Sequence, residues 1–225
     1  MLVELRLYRI KPGKRAQWLA FFEQRFLPYH RSVGVGTVLG YFLSYRDDEG
    51  FAWLHAFASD SDRDEARTLL WEGERWREDL APVAKDLLRE SCVHLLAPLP
   101  ASRILKIDDI PLPSLHAQTN RVLEIRIYRI RPGRRDDFAE FFNTRTVAPQ
   151  EANGMQILGQ FKDLEDDNCF VWLRGFPDLE TRDVQKAAFY DGDLWLKELE
   201  GEAFAMIEDY SNVWLVTPAR HSLFQ

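Results

Sequence analysis

The chain has 225 residues, of which 46% are hydrophobic, 29% charged and 13% aromatic. This globular balance excludes wholesale disorder and leaves room for one or two buried cores. The net charge is −7, with no long basic run, which argues against nucleic acid as a partner.

The first predicted element is a strand over 2–10, where Leu, Tyr and Ile alternate with charged residues before Pro12-Gly13 breaks the pattern. Trp18, Phe21, Phe22 and Phe26 then recur at helical spacing, so 14–29 is an amphipathic helix with an aromatic core face. Strands follow over 37–45 and 51–58, joined by the turn-rich Arg46-Asp47-Asp48-Glu49-Gly50 as a hairpin. Asp60 or Ser61 caps a helix running through Trp71. A further helix runs from Gly73 to about Arg89, and a last strand spans 91–97.

The series then repeats. Val3–Phe22 reads VELRLYRIKPGKRAQWLAFF and Leu123–Phe142 reads LEIRIYRIRPGRRDDFAEFF, ten identities in twenty at an offset of 120. The match continues through Phe51–Phe57 against Phe170–Phe176 and through Ser91–Leu95 against Ser211–Leu215. A repeat of this length is a domain, which predicts a tandem pair over 1–98 and 122–225 with a Pro-rich linker at 99–121. Each copy reads βαββαβ, the ferredoxin-like motif, with one helix split.

The run Glu4, Leu5, Arg6, Tyr8, Pro12, Gly13, Lys14, and its second copy Glu124, Ile125, Arg126, Tyr128, Pro132, Gly133, Arg134, resemble the first-strand signature of the NIPSNAP family. That family lies within the dimeric α+β barrel superfamily, and the resemblance covers about 1–98 and 122–218. It implies an α+β fold in which two ferredoxin-like units join their antiparallel sheets into one eight-stranded barrel, here with both units on one chain. The superfamily includes cofactor-free monooxygenases, polyketide cyclases, isomerases and heme enzymes, so the fold names no reaction. Family members commonly carry His-x-Trp-x-Tyr on the third strand. This chain departs from that pattern, with Trp53-x-His55-x-Phe57 and Trp172-x-Arg174-x-Phe176.

Strand alternation groups the candidate site residues. Val3, Leu5 and Leu7 share one face and Glu4, Arg6 and Tyr8 the other. If the aliphatic face meets the helices, the barrel interior receives Glu4, Arg6, Tyr8, Glu124, Arg126 and Tyr128. Trp53, His55, Phe57, Trp172, Arg174 and Phe176 join them from the third strands, and His94 and Trp214 from the last. A polar set walled by aromatics is the make-up of a small-molecule site.

Each Glu–Arg pair has two readings: a general base beside an anion anchor, or a salt-bridge ladder capped by Tyr8 and Tyr128, the latter preferred because buried ions must be paired. His55 and His94 read as proton shuttles, as heme ligands or as hydrogen-bonded core residues. His30, His116 and His221 read as surface residues. Cys92, two residues from His94 on the same strand face, reads as a small core residue in preference to a nucleophile, and Cys169, at a hairpin end, reads as incidental. They make neither a disulfide scaffold nor a zinc cluster.

The first six residues mix acidic and basic side chains with apolar ones, unlike a signal peptide, and no apolar run approaches the ~18 residues of a membrane span. A cytoplasmic protein is expected, with no metal or cofactor and the option of a homodimer.

Three functions follow. The first is binding of a small apolar or aromatic metabolite, with cofactor-independent proton-transfer chemistry (isomerase, cyclase or oxygenase) run by Glu4, Glu124, His55 or His94. In it Arg6, Arg126 and Arg174 hold an enolate or carboxylate. The second is a non-catalytic binding or interaction protein whose barrel is filled by side chains. The third is heme binding through His55 or His94.

Overall fold

The computed structural model describes residues 1–103 and 121–219. The fold is α+β, with eight antiparallel strands and flanking helices. The chain divides into two compact units, Met1–Leu95 and Leu96–Gln225.

In the first unit, β1 (Leu2–Ile10) ends at a turn where Gly13 takes φ 72°, left-handed backbone that glycine adopts at little cost. Helix α1 (Arg15–Phe21) runs through a π-helical turn (Phe22–Phe26) into α2 (Leu27–Val33), which ends on left-handed Gly34. β2 (Thr37–Ser44) and β3 (Gly50–Phe57) follow. α3 (Asp60–Ala66) is capped by Ser59, one residue before the expected cap, whose side chain accepts from the Asp62 N–H. π-helical turns at Arg67–Trp71 and Trp76–Leu80 lead to α4 (Ala81–Leu87) and then β4 (Leu88–Pro98). β3 pairs antiparallel with both β1 and β2, and Glu4, Arg6 and Tyr8 stand opposite His55, Trp53 and Phe51.

The second unit repeats the plan. It has β5 (Val122–Ile130), α5 (Arg135–Phe141), a π-helical turn (Phe142–Thr146) and α6 (Val147–Ala152). β6 (Gln156–Asp163), β7 (Cys169–Phe176) and α7 (Leu179–Tyr190) come next. A π-helical turn (Trp195–Leu199), α8 (Glu200–Met206) and β8 (Ile207–Pro218) complete it. Its strands lie in the order β8-β5-β7-β6, with Glu124, Arg126 and Tyr128 opposite Arg174, Trp172 and Phe170.

The shared strand faces are as alternation predicts, but the helices cover the other face from the one expected. Tyr8 meets Trp18 of α1 edge-on at 5.7 Å, Phe51 meets Phe22 at 4.9 Å, and Trp53 meets Phe26 at 5.5 Å. In the second unit Trp172 lies 4.8 Å from Phe142. The Glu–Arg–Tyr face is thus the one beneath the helices of its own unit. Aromatic helix faces need partners of matching size, which the strands' Tyr, Phe and Trp provide and Val3, Leu5 and Leu7 do not. The aliphatic face is buried as well.

Among the described residues, no helix is long and apolar enough to cross a membrane. Most of the 99–121 linker lies outside the described residues.

Candidate functional site

Each unit holds a cavity between its helices and its sheet. In the first it measures about 630 Å³ and is lined by Arg6, Tyr8, Trp53 and the helix aromatics Trp18, Phe22, Phe26, Trp71 and Trp76. In the second it measures about 400 Å³ and is lined by Arg126, Tyr128, Trp172, Lys186, Tyr190 and a wall of Phe138, Phe141, Phe142, Trp195 and Phe204. π-helical turns contribute to both walls, through Phe22, Phe26 and Trp76 in one and Phe142, Thr146 and Trp195 in the other. Such turns widen a helix locally and recur at functional sites.

The polar floor of each cavity is an ion cluster. Glu4 accepts from Arg6 (Nη2, 2.6 Å) and from Arg63 of α3 (Nε, 2.8 Å). The Arg6 guanidinium lies over Trp71 at 4.6 Å and Trp53 at 5.4 Å, so its faces are covered by aromatic rings while its edge serves Glu4.

In the second unit Glu124 is fully buried and is reached by four cations. Arg126 Nη1 lies 2.9 Å and Arg174 Nε 2.8 Å from one oxygen, and Arg182 Nε 2.7 Å and Lys186 Nζ 3.3 Å from the other. Arg182 and Lys186 are one turn apart on α7, which brings both to the same oxygen. Burial alone would raise the Glu124 pKa. The charges of Arg174, Arg126, Lys186 and Arg182 outweigh burial and hold the carboxyl well below the usual range. With both oxygens occupied, Glu124 anchors cations and has no lone pair placed to take a proton from a molecule in the cavity.

His55 is fully buried, and its Nε2 lies 2.9 Å from Nε2 of His30 and 3.4 Å from the Val35 carbonyl. A His55 Nε2–H donating to both satisfies the two acceptors. It leaves Nδ1, which has no partner among the described residues, as an unprotonated acceptor. Burial, with the nearby charges of His30 and Arg6, lowers the His55 pKa to about 2. Burial, with Arg31, lowers that of His30 to about 4. His30 is therefore buried, contrary to the surface position expected for it. A helix end looks exposed in sequence, but the last turn of α2 faces β3 here.

The other sequence candidates fall as follows. Phe57 packs on His55 with ring centroids 4.1 Å apart and planes tilted by 52°, and Arg174 lies over Phe176 at 5.4 Å, so both rings pack against the third-strand polar residue. Trp214 stands opposite Ile125, on the strand face away from Glu124, and is not in the cavity. His94 is half-buried with Cys92 Sγ 3.7 Å from its Nε2, and it lines neither cavity. Cys92 is exposed, not in the core as expected, because this part of β4 is exposed. Cys169 is buried, and burial pushes its thiol up to about 12. His116 and His221 lie outside the described residues.

Sequence reasoning missed Gln150 and Tyr190, which accept from Arg174 Nη1 at 2.8 and 3.1 Å, and the helix cations Arg63, Arg182 and Lys186. One signal could have found the cations: a basic residue stands at matching positions of the two copies at Arg63 and Arg182, and at Arg67 and Lys186.

A profile of the NIPSNAP family matches residues 3–103 and again 123–222. The chain belongs to the NIPSNAP family.

Solved structures resemble it as well. A NIPSNAP family protein from Agrobacterium tumefaciens is 28% identical, covering 45% of this chain and 95% of its own, with a TM-score of 0.41. An anthrone oxidase-like protein is 11% identical over 100% of this chain and 94% of its own, TM-score 0.63. A candidate monooxygenase from Lactobacillus acidophilus NCFM is 12% identical over 96% and 93%, TM-score 0.62. At these identities the last two show the fold alone. Among curated proteins, none matches in sequence.

In this NIPSNAP chain the twice-repeated Glu-x-Arg-x-Tyr is the polar floor of each cavity. The third-strand departures, His55 and Arg174, decide how many charges that floor carries.

Proposed function

We propose that this NIPSNAP protein binds a small apolar or aromatic molecule between the helices and the sheet of its second unit. The observation that carries this reading is the cavity of about 400 Å³ walled by Phe138, Phe141, Phe142, Trp172, Trp195 and Phe204, with Arg126 and two phenols at its floor. An apolar cavity with a few convergent polar groups is the usual form of a small-molecule site, and this volume lies within the range of about 300–1,000 Å³ for such sites.

The geometry favours binding over the base-catalysed reactions open to the sequence. Glu124 is saturated by cations, and His55 is bonded to His30 and lines neither cavity. Neither is placed to take a proton from a ligand. The phenols of Tyr128 and Tyr190 do line the cavity, so isomerase, cyclase or oxygenase chemistry there would use a tyrosine as its acid. Heme does not fit His55, because its Nε2 is held by His30 and the Val35 carbonyl and the fully buried ring lines neither cavity.

The test is calorimetric titration with 2-naphthamide, a neutral flat aromatic, on the wild type and on Leu196→Trp. Leu196 lines the cavity and is 51% exposed, so the indole plugs the mouth without disturbing the core. Binding that weakens at least tenfold in the variant supports the site. Absence of wild-type binding to both 2-naphthamide and its carboxylate analogue 2-naphthoate, or equal binding by both proteins, removes it.

A further inference from the structure

We infer that the second unit's cavity selects an aromatic molecule bearing an anionic group, a carboxylate or enolate, held on the edge formed by Arg126 and Lys186. The inference rests on the cavity being a binding site and adds the charge class of its ligand.

The first argument is charge balance. Arg126, Arg174, Arg182 and Lys186 all converge on the single carboxylate of Glu124. Arg182 is also paired with the exposed Asp183. That leaves Arg126, Arg174 and Lys186 against one buried negative charge, and two of the three, Arg126 and Lys186, line the cavity. Arg126 is 10% and Lys186 26% exposed. A cation largely held from water without a full counter-charge is costly, and an anion in the cavity would offset that cost, for Arg126 most of all. The acidic groups that line the cavity, Asp191 and Glu200, are exposed and half-buried respectively, and among the described residues neither is ion-paired with Arg126 or Lys186.

The second argument is hydrogen-bond direction. Tyr128 OH accepts from Arg126 Nε at 2.9 Å and Tyr190 OH accepts from Arg174 Nη1 at 3.1 Å. With the oxygen lone pairs engaged by guanidinium groups, each phenol keeps its own hydrogen to donate. The floor therefore offers ammonium, guanidinium and two phenol donors. A carboxylate or enolate is acceptor-only and matches it, whereas a carboxamide brings donors of its own.

The first unit carries a smaller surplus at its floor, Arg6 and Arg63 against Glu4, and the other basic residues lining its cavity, Arg77, Lys85 and Arg89, are exposed. Its third-strand position is His55, tied to His30, and the position matching Lys186 is Arg67, exposed and 4.0 Å from Asp64. Among the described residues Glu4 is ion-paired with Arg6 and Arg63.

The experiment compares 2-naphthoate with 2-naphthamide by titration calorimetry at low ionic strength on the wild type, Lys186→Gln, Lys186→Arg and Arg67→Gln. Wild type is expected to bind naphthoate at least tenfold more tightly than naphthamide. K186Q should cut that ratio at least fivefold, with K186R restoring it and R67Q leaving it unchanged. If K186Q does not fold, the tenfold wild-type ratio and its retention in K186R still decide the matter. Equal affinity for both probes overturns the charge assignment while leaving the cavity a binding site. A ratio undiminished in K186Q also overturns it. Failure of the wild type to bind either probe removes the binding site itself.

Discussion

His30 and His55 meet through their Nε2 atoms at 2.9 Å, and the matching positions of the second unit hold Gln150 and Arg174, which meet through Oε1 and Nη1 at 2.8 Å. Both ends of the contact differ together between the copies. One copy joins helix to third strand through two neutral imidazoles, and the other through a cation and an amide oxygen. The exchange sets the charge beneath each cavity, because Arg174 adds a cation to Glu124 where neutral His55 adds none to Glu4.

Paired exchange predicts coupling. His55→Arg alone faces a guanidinium toward an imidazole, and adding His30→Gln supplies the amide oxygen that Arg174 uses. The double variant is expected to be more stable than the sum of the two single effects implies by about 1 kcal/mol or more in urea unfolding, the size seen for contacting residues. Additive single effects would show that the two positions do not act as a unit.

Acid should weaken the first unit through the same pair. His30 titrates near 4 and His55 near 2 in the folded chain, against about 6.5 for an unfolded histidine. Between these values the unfolded chain binds more protons, so stability is full above about pH 6.5 and declines as pH falls toward 4 and below. The urea midpoint should drop between pH 7.5 and pH 5, and the drop should shrink in His30→Gln/His55→Gln. An unchanged drop would place the acid sensitivity elsewhere.

Glu124→Gln should be among the most damaging single substitutions. It leaves the fully buried Arg174 guanidinium, with Arg126 and Lys186, without a counter-charge, and breaking a buried pair costs about 3–5 kcal/mol. Glu4→Gln should cost less, since none of its partners is fully buried as Arg174 is: Arg6 and Arg63 are 15% and 27% exposed. Chemical denaturation of both variants checks the order, and a reversed order would contradict the charge count.

Two glycines separate backbone strain from crowding. Gly36 and Gly133 both have left-handed φ, 64° and 76°, so alanine at either costs about 1 kcal/mol for conformation. Beside Gly133 there is nothing within 4 Å, whereas a Cβ on Gly36 would meet His55 Nε2 at 2.4 Å and the Ala56 carbonyl at 2.9 Å. Gly36→Ala should therefore destabilise by at least twice as much as Gly133→Ala in thermal unfolding. Equal losses would mean that the His55 ring gives way freely.

The amino-acid sequence by itself determined the duplication, the βαββαβ order of each copy and which strand residues share a face. These follow from local signals: identity at a fixed offset, Pro-Gly breaks and the two-residue period of an extended chain. It also marked Glu4, Arg6 and Tyr8 with their copies as one polar set, and alternation placed His55 and Arg174 beside them.

Only the tertiary structure decided which face the helices cover, because alternation distinguishes two faces without saying what packs on either. Here the aromatic surfaces of α1 and the π-helical turns matched the aromatic strand face, and paired charges made that face tolerable to bury. The tertiary structure also brought His30 to His55, Gln150 to Arg174, and Arg182 and Lys186 to Glu124. Those contacts join residues 24 to 62 positions apart in the chain, a separation at which no local periodicity operates.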